Sequence, residues 1–325
     1  MTHRAVLPAL ALLLPLAACG ADAEAPDPGT KTSYAFSADN CGTVVEPAAV
    51  PERIVTVKST STELVVALGL AERLVGTAFA DGPVIDVRDG SEVEVPVISE
   101  QAPSQEVVLE AEPDLVLAGW ESNFAADTAG ERDVLAKMGV ATYVSPAACQ
   151  EPDYQPNPMT FDALFDQFTE AGELLGATDA AADLVADQQA QLDEVRHDGD
   201  GLTALWWSSG EDTPFVGGTI GAPAMVLDAA GLTNVVDVEA TWTSLGWEAI
   251  VDADPDVLVL VDAAWNTADD KIAALESNAA TRELKAVKAG NYVVVPFAAA
   301  EAGVRSVSAV ASVVEQVAEL GVREQ

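Results

Sequence analysis

The sequence predicts an α/β fold of two lobes, each built on a central sheet of mainly parallel strands, joined by one long helix. Three observations predict it. Short apolar runs alternate with helical segments along the chain, which is typical of a parallel sheet buried on both faces. One amphipathic segment near the middle interrupts this alternation. Finally, EVVLEAEPDLVLAG (106–119) returns 142 residues later as EAIVDADPDVLVLV (248–261).

Chain length and charge limit the range of functions. The 325 residues are 49% hydrophobic with a mean hydropathy of +0.20, enough to form the cores of two lobes. Fifteen Lys and Arg stand against 53 Asp and Glu, which gives a net charge of -38. So acidic a chain repels polyphosphates, and the sequence therefore predicts no nucleic acid partner.

The first 18 residues are typical of a signal peptide. A short basic start (1–4) precedes an apolar run (5–18) that is shorter than the roughly 20 residues needed to span a bilayer. The run ends in LAAC, which resembles the lipobox of bacterial lipoproteins and predicts a lipid anchor on Cys19. An ordinary cleaved signal beside a chance cysteine is the alternative. Residues 19–37, rich in Ala, Pro and Asp, are predicted to form a tether.

The two remaining cysteines, Cys41 and Cys149, form an even pair in an exported chain. Disulfides persist under the oxidising conditions outside the cytoplasm, so a bond between them is predicted. Two buried thiols are the alternative.

Strands and helices alternate through the predicted first lobe, residues 38–159. Residues 53–59 are β-branched and alternating, and Thr60 to Glu63 form a predicted capping box that opens a helix ending at Gly69. Further short strands are predicted at 74–79, 96–99, 114–119 and 141–145, with helices near 106–111 and 129–138.

The second half follows the same organisation. Thr160 caps an amphipathic helix that is predicted to link the lobes over residues 160–177, and another helix follows at 179–195. In the predicted second lobe, residues 178–325, strands are expected at 202–208, 256–261 and 292–297, with helices at 224–231 and 306–320. Both lobes are thus expected to be Rossmann-like.

Each copy of the repeat has a glutamate seven residues before a Pro-Asp pair. The prolines, Pro113 and Pro255, end a short helix and start a strand, so the Pro-Asp pair has a structural explanation. The turn does not require Glu106 or Glu248. Each is explained either by a function or by a favourable charge at a helix N-terminus, worth about 0.5 kcal/mol.

These segments together resemble the class III periplasmic substrate-binding proteins of ABC importers, which carry ferric siderophores, haem and cobalamin. The resemblance covers almost the whole mature chain and rests on residues 51–79, 106–119, 160–176, 244–261 and 281–297. It implies two rigid lobes joined by one long helix, with the ligand in the cleft between them. It also implies that Glu106 and Glu248 dock on arginines of the two permease halves, with ATPase subunits as further partners. The binding protein itself is expected to be a monomer.

The ligand site is expected at the carboxyl ends of the strands, where loops converge. Tryptophans in such loops favour a flat conjugated ligand, although each of them alternatively caps a sheet. The candidates are aromatic, hydroxylic or charged: Lys58, Ser59, Thr60, Phe79, Asp81, Trp120, Glu121, Tyr143, Trp206, Trp207, Trp242, Trp265, Phe297 and Arg305.

Two of these candidates are cations, which indicate an anionic group on the ligand. Lys58 precedes a Ser/Thr-rich helix N-terminus, a ready anion site, and Arg305 follows the last strand, with Arg88 as a weaker third candidate. The alternative is that either main cation forms a salt bridge with Asp81 or Glu301.

Within the family, segments 119–149 and 244–272 look most like an actinobacterial subgroup proposed to bind coenzyme F420-0, a deazaflavin precursor. Its planar rings, ribityl chain, phosphodiester and carboxylate suit aromatics, hydroxyls and two cations. Coenzyme F420-0 is therefore the first ligand expected, with a ferric siderophore, haem or cobalamin as alternatives.

Other chemistry finds little support in the sequence. The two histidines are His3, in the signal peptide, and His197, too few for a zinc or manganese site built on imidazoles. No G-x-S-x-G motif occurs, and GGTIG is too short for a dinucleotide fingerprint. We therefore expect no cofactor, no resident metal and no catalysis, with an envelope-associated α/β hydrolytic enzyme as the alternative class.

Overall fold

The structure, a computed structural model, describes Met1, residues 34–197 and residues 201–322. The predicted signal peptide (1–18) lies outside these residues except for Met1, as do Cys19 and the tether up to residue 33. The chain divides into Met1–Ser33 and a second unit, Tyr34–Gln325, which contains the two lobes. No helix in the described ranges is long and apolar enough to cross a membrane.

Among the described residues, the first lobe contains a five-stranded parallel sheet in the order β7-β4-β3-β8-β9. Two small antiparallel hairpins, β1/β2 and β5/β6, lie outside this sheet. In chain order the elements are β1 (Ala38–Asn40), β2 (Thr43–Val45), β3 (Ile54–Val57), α1 (Ser59–Ala67), β4 (Leu74–Ala78), β5 (Ile85–Asp86), β6 (Ser91–Glu92), β7 (Val97–Ser99), α2 (Gln105–Glu110), β8 (Leu115–Ala118), α3 (Arg132–Lys137) and β9 (Ala141–Val144).

Two helices in succession, α4 (Phe161–Leu174) and α5 (Thr178–Val195), lead from the first lobe to the second. The helix α4 starts as the sequence predicts, because the Thr160 hydroxyl accepts a hydrogen bond from the Ala163 amide at 3.1 Å. The helices approach closely at Gly172, where an added Cβ would lie 2.3 Å from the Cβ of Ala181.

The second lobe contains a mixed sheet in the order β13-β11-β10-β14-β15, with β12 also pairing with β10. The strands β10, β12, β14 and β15 are parallel, whereas β11 and β13 form an antiparallel edge. In chain order the elements are β10 (Thr203–Ser209), β11 (Phe215–Gly217), α6 (Ala222–Ala229), β12 (Thr233–Asn234), β13 (Trp242–Ser244), α7 (Trp247–Ala253), β14 (Val257–Asp262), α8 (Ala268–Ser277), α9 (Lys285–Ala289), β15 (Tyr292–Pro296) and α10 (Ser306–Glu319).

The central strands of both lobes are buried on both faces. Every residue of β3 and β8 is buried, as are the first five of β14. This burial explains why their sequences, IVTV, LVLA and VLVLV, are nearly continuous apolar runs. The predicted α/β fold with parallel central strands is confirmed, and the antiparallel edge of the second sheet is an addition to it.

The aspartate of the repeat has the same structural role in both lobes. The Asp114 carboxylate accepts hydrogen bonds from the amides of Glu52 (2.8 Å) and Arg53 (3.1 Å), just before β3. The Asp256 carboxylate accepts one from the amide of Thr203 (2.8 Å), where β10 begins. Each aspartate therefore connects the start of the strand in its repeat, β8 or β14, to the start of the neighbouring central strand, β3 or β10.

Two local predictions differ from the structure. The predicted capping box is wrong: α1 begins at Ser59 with no side-chain cap, and Glu63 instead accepts from the Ile85 amide at 3.0 Å. The predicted tether also extends too far. The Tyr34 hydroxyl donates to the Leu174 carbonyl at 2.7 Å, and Phe36 is buried in the core.

Candidate ligand cavity

A cavity of about 480 Å³ opens between the carboxyl ends of the two central sheets. In the first lobe its wall includes Trp120, two residues after β8, and Ser145, directly after β9. In the second lobe it includes Ser208 and Ser209, at the end of β10. The cavity lies where the strand order reverses in each lobe, beside the neighbouring pairs β3/β8 and β10/β14. Ligands of open α/β sheets bind at such switch points, and the volume suits a small molecule.

Aromatic rings from both lobes form much of the wall. Phe215 and Trp242 stack with ring centres 5.8 Å apart, while Phe297 contacts Trp120 and Trp265 edge-on at 6.4 and 5.8 Å. Trp265 is 65% exposed. Such rings offer flat apolar surfaces that a ligand covers on binding.

The polar part of the wall consists mainly of hydroxyls, from Ser122, Ser145, Ser208, Ser209 and Thr241. Within the described ranges, Glu301 is the one ionisable side chain in the lining, and neither Lys nor Arg contributes to it. The cavity thus has aromatic and hydroxylic walls and a single carboxyl group.

Glu301 connects the two lobes at the cavity wall. Its Oε2 accepts a hydrogen bond of 2.5 Å from the indole Nε1 of Trp120. Burial raises the pKa of the Glu301 carboxyl from 4.5 to about 7, with the Asp81 carboxylate adding to the rise while the Trp120 hydrogen bond and the Lys58 ammonium oppose it.

The Lys58 ammonium is buried behind the cavity wall. It forms an ion pair with Asp81 and lies 3.9 Å from the ring centre of Trp120, 4.5 Å from that of Phe79 and 4.9 Å from that of Phe297. The lysine side chain is 1% exposed. Its charge is therefore neutralised by a carboxylate and enclosed by three rings, an arrangement that cation–π attraction stabilises.

Arg305 also has an internal partner. It forms an ion pair with Glu63 of α1, its Nε donating to Glu63 Oε2 at 2.6 Å, and it donates to the Pro83 carbonyl at 2.8 Å. These contacts join the second lobe to the first beside the cavity. The third cation considered, Arg88, pairs with Asp86. The internal salt bridge is thus the arrangement found for both main cations, with Asp81 and Glu63 as partners.

Several other predicted site residues lie in the core. Trp206 and Trp207 are inside β10, which continues to Ser209, and both are at most 1% exposed. The Trp207 indole donates to the Ser209 carbonyl at 2.7 Å. Tyr143 is buried in β9, where its hydroxyl donates to Glu170 and burial raises its pKa well above the usual range.

The remaining predicted residues surround the cavity without lining it. Ser59 and Thr60 are buried at the start of α1, where the Ser59 hydroxyl accepts from the Asp81 amide at 2.8 Å. The Glu121 carboxylate accepts from the amide of Gln150, a lining residue, at 2.5 Å. Phe79 contacts Trp120 edge-on at 5.7 Å. Four predicted aromatics do line the cavity: Trp120, Trp242, Trp265 and Phe297.

Sequence reasoning missed most of the lining, of which Phe215 and Glu301 matter most here, and one supporting residue. Phe215 lies in a segment for which neither a strand nor a helix is predicted, and the sequence indicates Glu301 only as a salt-bridge partner. The supporting residue is Lys271 of α8, which is 1% exposed and donates to the carbonyls of Val261 and Asn266, both at 2.7 Å. Burial lowers the pKa of Lys271 to about 8. The apolar spacing of the sequence does not reveal such a lysine, which here holds the loop that carries Trp265.

A disulfide joins Cys41 and Cys149, with Cα atoms 5.3 Å apart. It connects the turn between β1 and β2 to the segment after β9. Four residues of that segment, Ala147 to Gln150, line the cavity, so the bond constrains one part of its wall.

Glu106 and Glu248 occupy equivalent positions in the first turns of α2 and α7. Both are exposed, and neither has a hydrogen bond or ion pair through its side chain with any described residue. Within the described ranges, no group of three or more His, Cys, Asp or Glu is placed to hold a metal ion.

Two α/β lobes with a cavity between the carboxyl ends of their sheets are typical of two-lobed solute-binding proteins. The model of one such family, described as "Periplasmic binding protein", matches residues 54–299. The chain therefore belongs to the periplasmic binding protein family, whose members act outside the cytoplasm as binding proteins of transport systems.

Solved structures share the fold over their whole length. A periplasmic binding protein from Veillonella parvula is 23% identical, with a TM-score of 0.74 over 87% of this chain and 97% of that one. An ABC-type Fe3+-hydroxamate transport system structure from Saccharomonospora viridis is 24% identical, with a TM-score of 0.72 over 89% and 99%. A periplasmic heme-binding protein from Roseiflexus sp. RS-1 is 20% identical, with a TM-score of 0.66 over 83% and 98%. None of the curated protein sequences compared with this chain matches it significantly.

Proposed function

We propose that the protein captures a small solute in the cavity between its lobes and delivers it to the permease of an ABC importer. The cavity carries this proposal, because it combines ligand-sized volume with aromatic walls from both lobes at the switch points of the two sheets. The exposed Glu106 and Glu248 support delivery, since they present the same charge at equivalent positions of the two lobes. A lipid on Cys19 would hold the protein at the outer face of the cell membrane. The protein would act there as a monomer.

The ligand that suits the lining best is a compact solute without strong negative charge. Aromatic rings and hydroxyls dominate the wall, and the described residues supply no lysine or arginine to it. A ferric hydroxamate chelate has this character, because its apolar linkers cover the coordinated metal and it carries no net negative charge. The Saccharomonospora viridis structure is named for Fe3+-hydroxamate transport, which is consistent with this choice.

Coenzyme F420-0 is the second candidate, because the stacked faces of Phe215 and Trp242 suit its planar rings. Its phosphodiester and carboxylate need cations, and the two nearest are paired with Asp81 and Glu63. Its binding therefore requires these ion pairs to open, which costs several kcal/mol for each buried charge that loses its partner.

Haem is supported by the names of several fold relatives but not by the lining. Iron in haem proteins is held by His, Cys, Met or Tyr. Of these, the described lining contains Met159 and the disulfide-bonded Cys149. Cobalamin has no observation in its favour beyond the aromatic wall.

The test is an equilibrium titration of the purified protein, following tryptophan fluorescence, with a ferric trihydroxamate, coenzyme F420-0, haem and cobalamin. We expect saturable quenching by the ferric trihydroxamate, because Trp242 and Trp265 line the cavity. Absence of a saturable response to every member of the panel would contradict the proposed function. Selective binding of coenzyme F420-0 would keep the binding-protein function and change the ligand.

The anchor has its own test. Protein purified from membranes of its native host is expected to begin at an acylated Cys19, because LAAC matches a lipobox. Intact mass measured without reduction gives the acyl mass and the loss of two hydrogens for the disulfide between Cys41 and Cys149. An unmodified N-terminus at another residue would contradict the anchor.

A further inference from the structure

The Glu301 carboxyl has one oxygen occupied and one available. Oε2 accepts from the Trp120 indole, whereas Oε1 has no hydrogen-bond partner among the described residues and is not fully enclosed by protein atoms. Glu301 lines the cavity. Glu301 therefore brings a carboxyl oxygen without a protein partner to the cavity wall.

The groups that surround Glu301 leave its charge uncompensated. Lys58 and Asp81 face it from the first lobe, but they neutralise each other in an ion pair. Arg305, four residues along the chain, is paired with Glu63. The hydrogen bonds of Glu301 within the described ranges are with neutral groups, namely the Trp120 indole and the Ser306 hydroxyl, which donates to the Glu301 backbone carbonyl at 3.4 Å. An ionised Glu301 thus adds a net negative charge to the cavity wall.

We propose that Glu301 is the specificity-determining residue of the cavity, and that its free carboxylate oxygen binds a cationic or hydrogen-bond-donating group of the solute, such as an ammonium. This inference rests on the proposed function and names the chemistry that the solute carries at one position. A carboxylate without a cation partner in a partly buried wall repels an anionic group and attracts a donor. Such discrimination includes rejection of the wrong charge as well as attraction of the right one.

The proposal predicts the direction of a pH effect. The Glu301 carboxyl is protonated below about pH 7 and ionised above it. A solute with an ammonium group is therefore bound more tightly at pH 8 than at pH 6. The other charged groups that face Glu301 are the ion pairs Lys58/Asp81 and Arg305/Glu63, in each of which a carboxylate contacts a cation.

Two ferric trihydroxamates that differ only in this group provide the probe. Ferrioxamine B carries a terminal ammonium, and its N-acetylated derivative is neutral at that end. The variants are Glu301→Gln, which keeps an acceptor for Trp120, and the control Glu121→Gln, which removes the same charge beside the cavity from a residue outside its lining. Dissociation constants are measured by titration calorimetry at pH 6 and pH 8.

For the wild-type protein we expect binding of ferrioxamine B to be at least about tenfold tighter at pH 8 than that of the acetylated chelate, since one charge-assisted hydrogen bond has this magnitude. Glu301→Gln should remove this preference and its pH dependence, while Glu121→Gln should retain both. Equal binding of the two chelates by the wild type, or a preference that survives in Glu301→Gln, would overturn the role of Glu301 alone.

Failure of both chelates to bind the wild-type protein would instead overturn the proposed iron-chelate ligand. Coenzyme F420-0 then tests whether Glu301 repels an anionic ligand, because it carries two anionic groups. If the wild type binds coenzyme F420-0 tightly but less tightly at pH 8 than at pH 6, and Glu301→Gln removes this pH dependence, the result would still support a carboxylate that repels anions. Tight binding at pH 8 that is unchanged in Glu301→Gln would overturn the inference, and binding of neither ligand class would overturn both proposals.

Discussion

The charged residues of the cavity region are the part that sequence alone predicts least well. Trp120 and Trp265 follow buried strands, so their place near a ligand site follows from the α/β pattern, whereas Trp242 lies in β13 at the antiparallel edge. The partners of Lys58 and Arg305 cannot be predicted in this way, since Arg305 and its partner Glu63 are 242 residues apart in the chain. No local pattern indicates which carboxylate meets which cation across the contact between two lobes. The sequence predicts an anionic ligand only if Lys58 and Arg305 are unpaired, and in the structure both form ion pairs.

At the same scale, Glu301→Gln is expected to stabilise the ligand-free protein more at pH 7.5 than at pH 4.5. Burial raises the carboxyl pKa from 4.5 to about 7, so between these values the unfolded chain has released a proton that the folded chain keeps. The contribution of the Glu301 carboxyl to the free energy of unfolding is therefore fully present below pH 4.5 and is lost as the pH rises to about 7. Glutamine does not titrate.

Thermal unfolding of both proteins over this pH range checks the prediction. The difference in melting temperature, variant minus wild type, should grow from pH 4.5 to pH 7.5. A difference that stays constant with pH would show that Glu301 is already ionised in the folded protein at low pH.

At the scale of elements, most strands and helices follow from periodicity, and the exceptions have identifiable causes. The buried strands β3, β8 and β14 are nearly continuous apolar runs, which the sequence displays directly. The antiparallel edge is different, because the residues that pair between β11 and β13 are distant in the chain, as Phe215 is from Ser244 and Gly217 from Trp242. Each of these strands has three residues and contains Gly, Ser or Thr, so neither has a pattern of its own.

The loop between β14 and α8 provides a prediction about how an element supports the site. Lys271→Met removes the ammonium that donates to the carbonyls of Val261 and Asn266. One buried and one part-buried carbonyl oxygen lose a partner, which should lower the free energy of unfolding by about 1–3 kcal/mol. Because the same loop carries Trp265, bound ligand should also dissociate faster.

Urea unfolding and stopped-flow dissociation measure these two effects. Lys288→Met, which removes an exposed lysine elsewhere in the second lobe, is the matched control and should change neither. An unchanged dissociation rate in Lys271→Met, together with unchanged stability, would show that this lysine does not hold the loop.

At the scale of the whole molecule, the repeat combines a structural and a functional component. The aspartates Asp114 and Asp256 have hydrogen-bonding roles in the sheets, whereas Glu106 and Glu248 are exposed and unpaired among the described residues. Glu106→Ala with Glu248→Ala is therefore expected to leave ligand affinity unchanged. Uptake through the cognate permease should fall sharply, since two matched charge pairs orient docking even though each exposed pair contributes only about 0–1 kcal/mol.

The control for this pair exists on the same two helices. Glu110→Ala with Asp252→Ala removes the same charge from exposed positions of α2 and α7 and should leave uptake near the wild-type rate. Normal uptake by the Glu106 and Glu248 double variant, or an equal loss in the control, would contradict a docking role for the repeated glutamates.

Blocking the cavity between the lobes shows whether the solute is bound there. Ser122 lines the cavity and is exposed, so Ser122→Trp fills the space without disturbing the core. Ser277→Trp, at the exposed end of α8 outside the lining, is the control. Titration calorimetry with a bound member of the ligand panel should give one site per wild-type and Ser277→Trp protein, and binding at least about tenfold weaker for Ser122→Trp. Equal affinity and stoichiometry in all three proteins would show that the solute is bound outside this cavity.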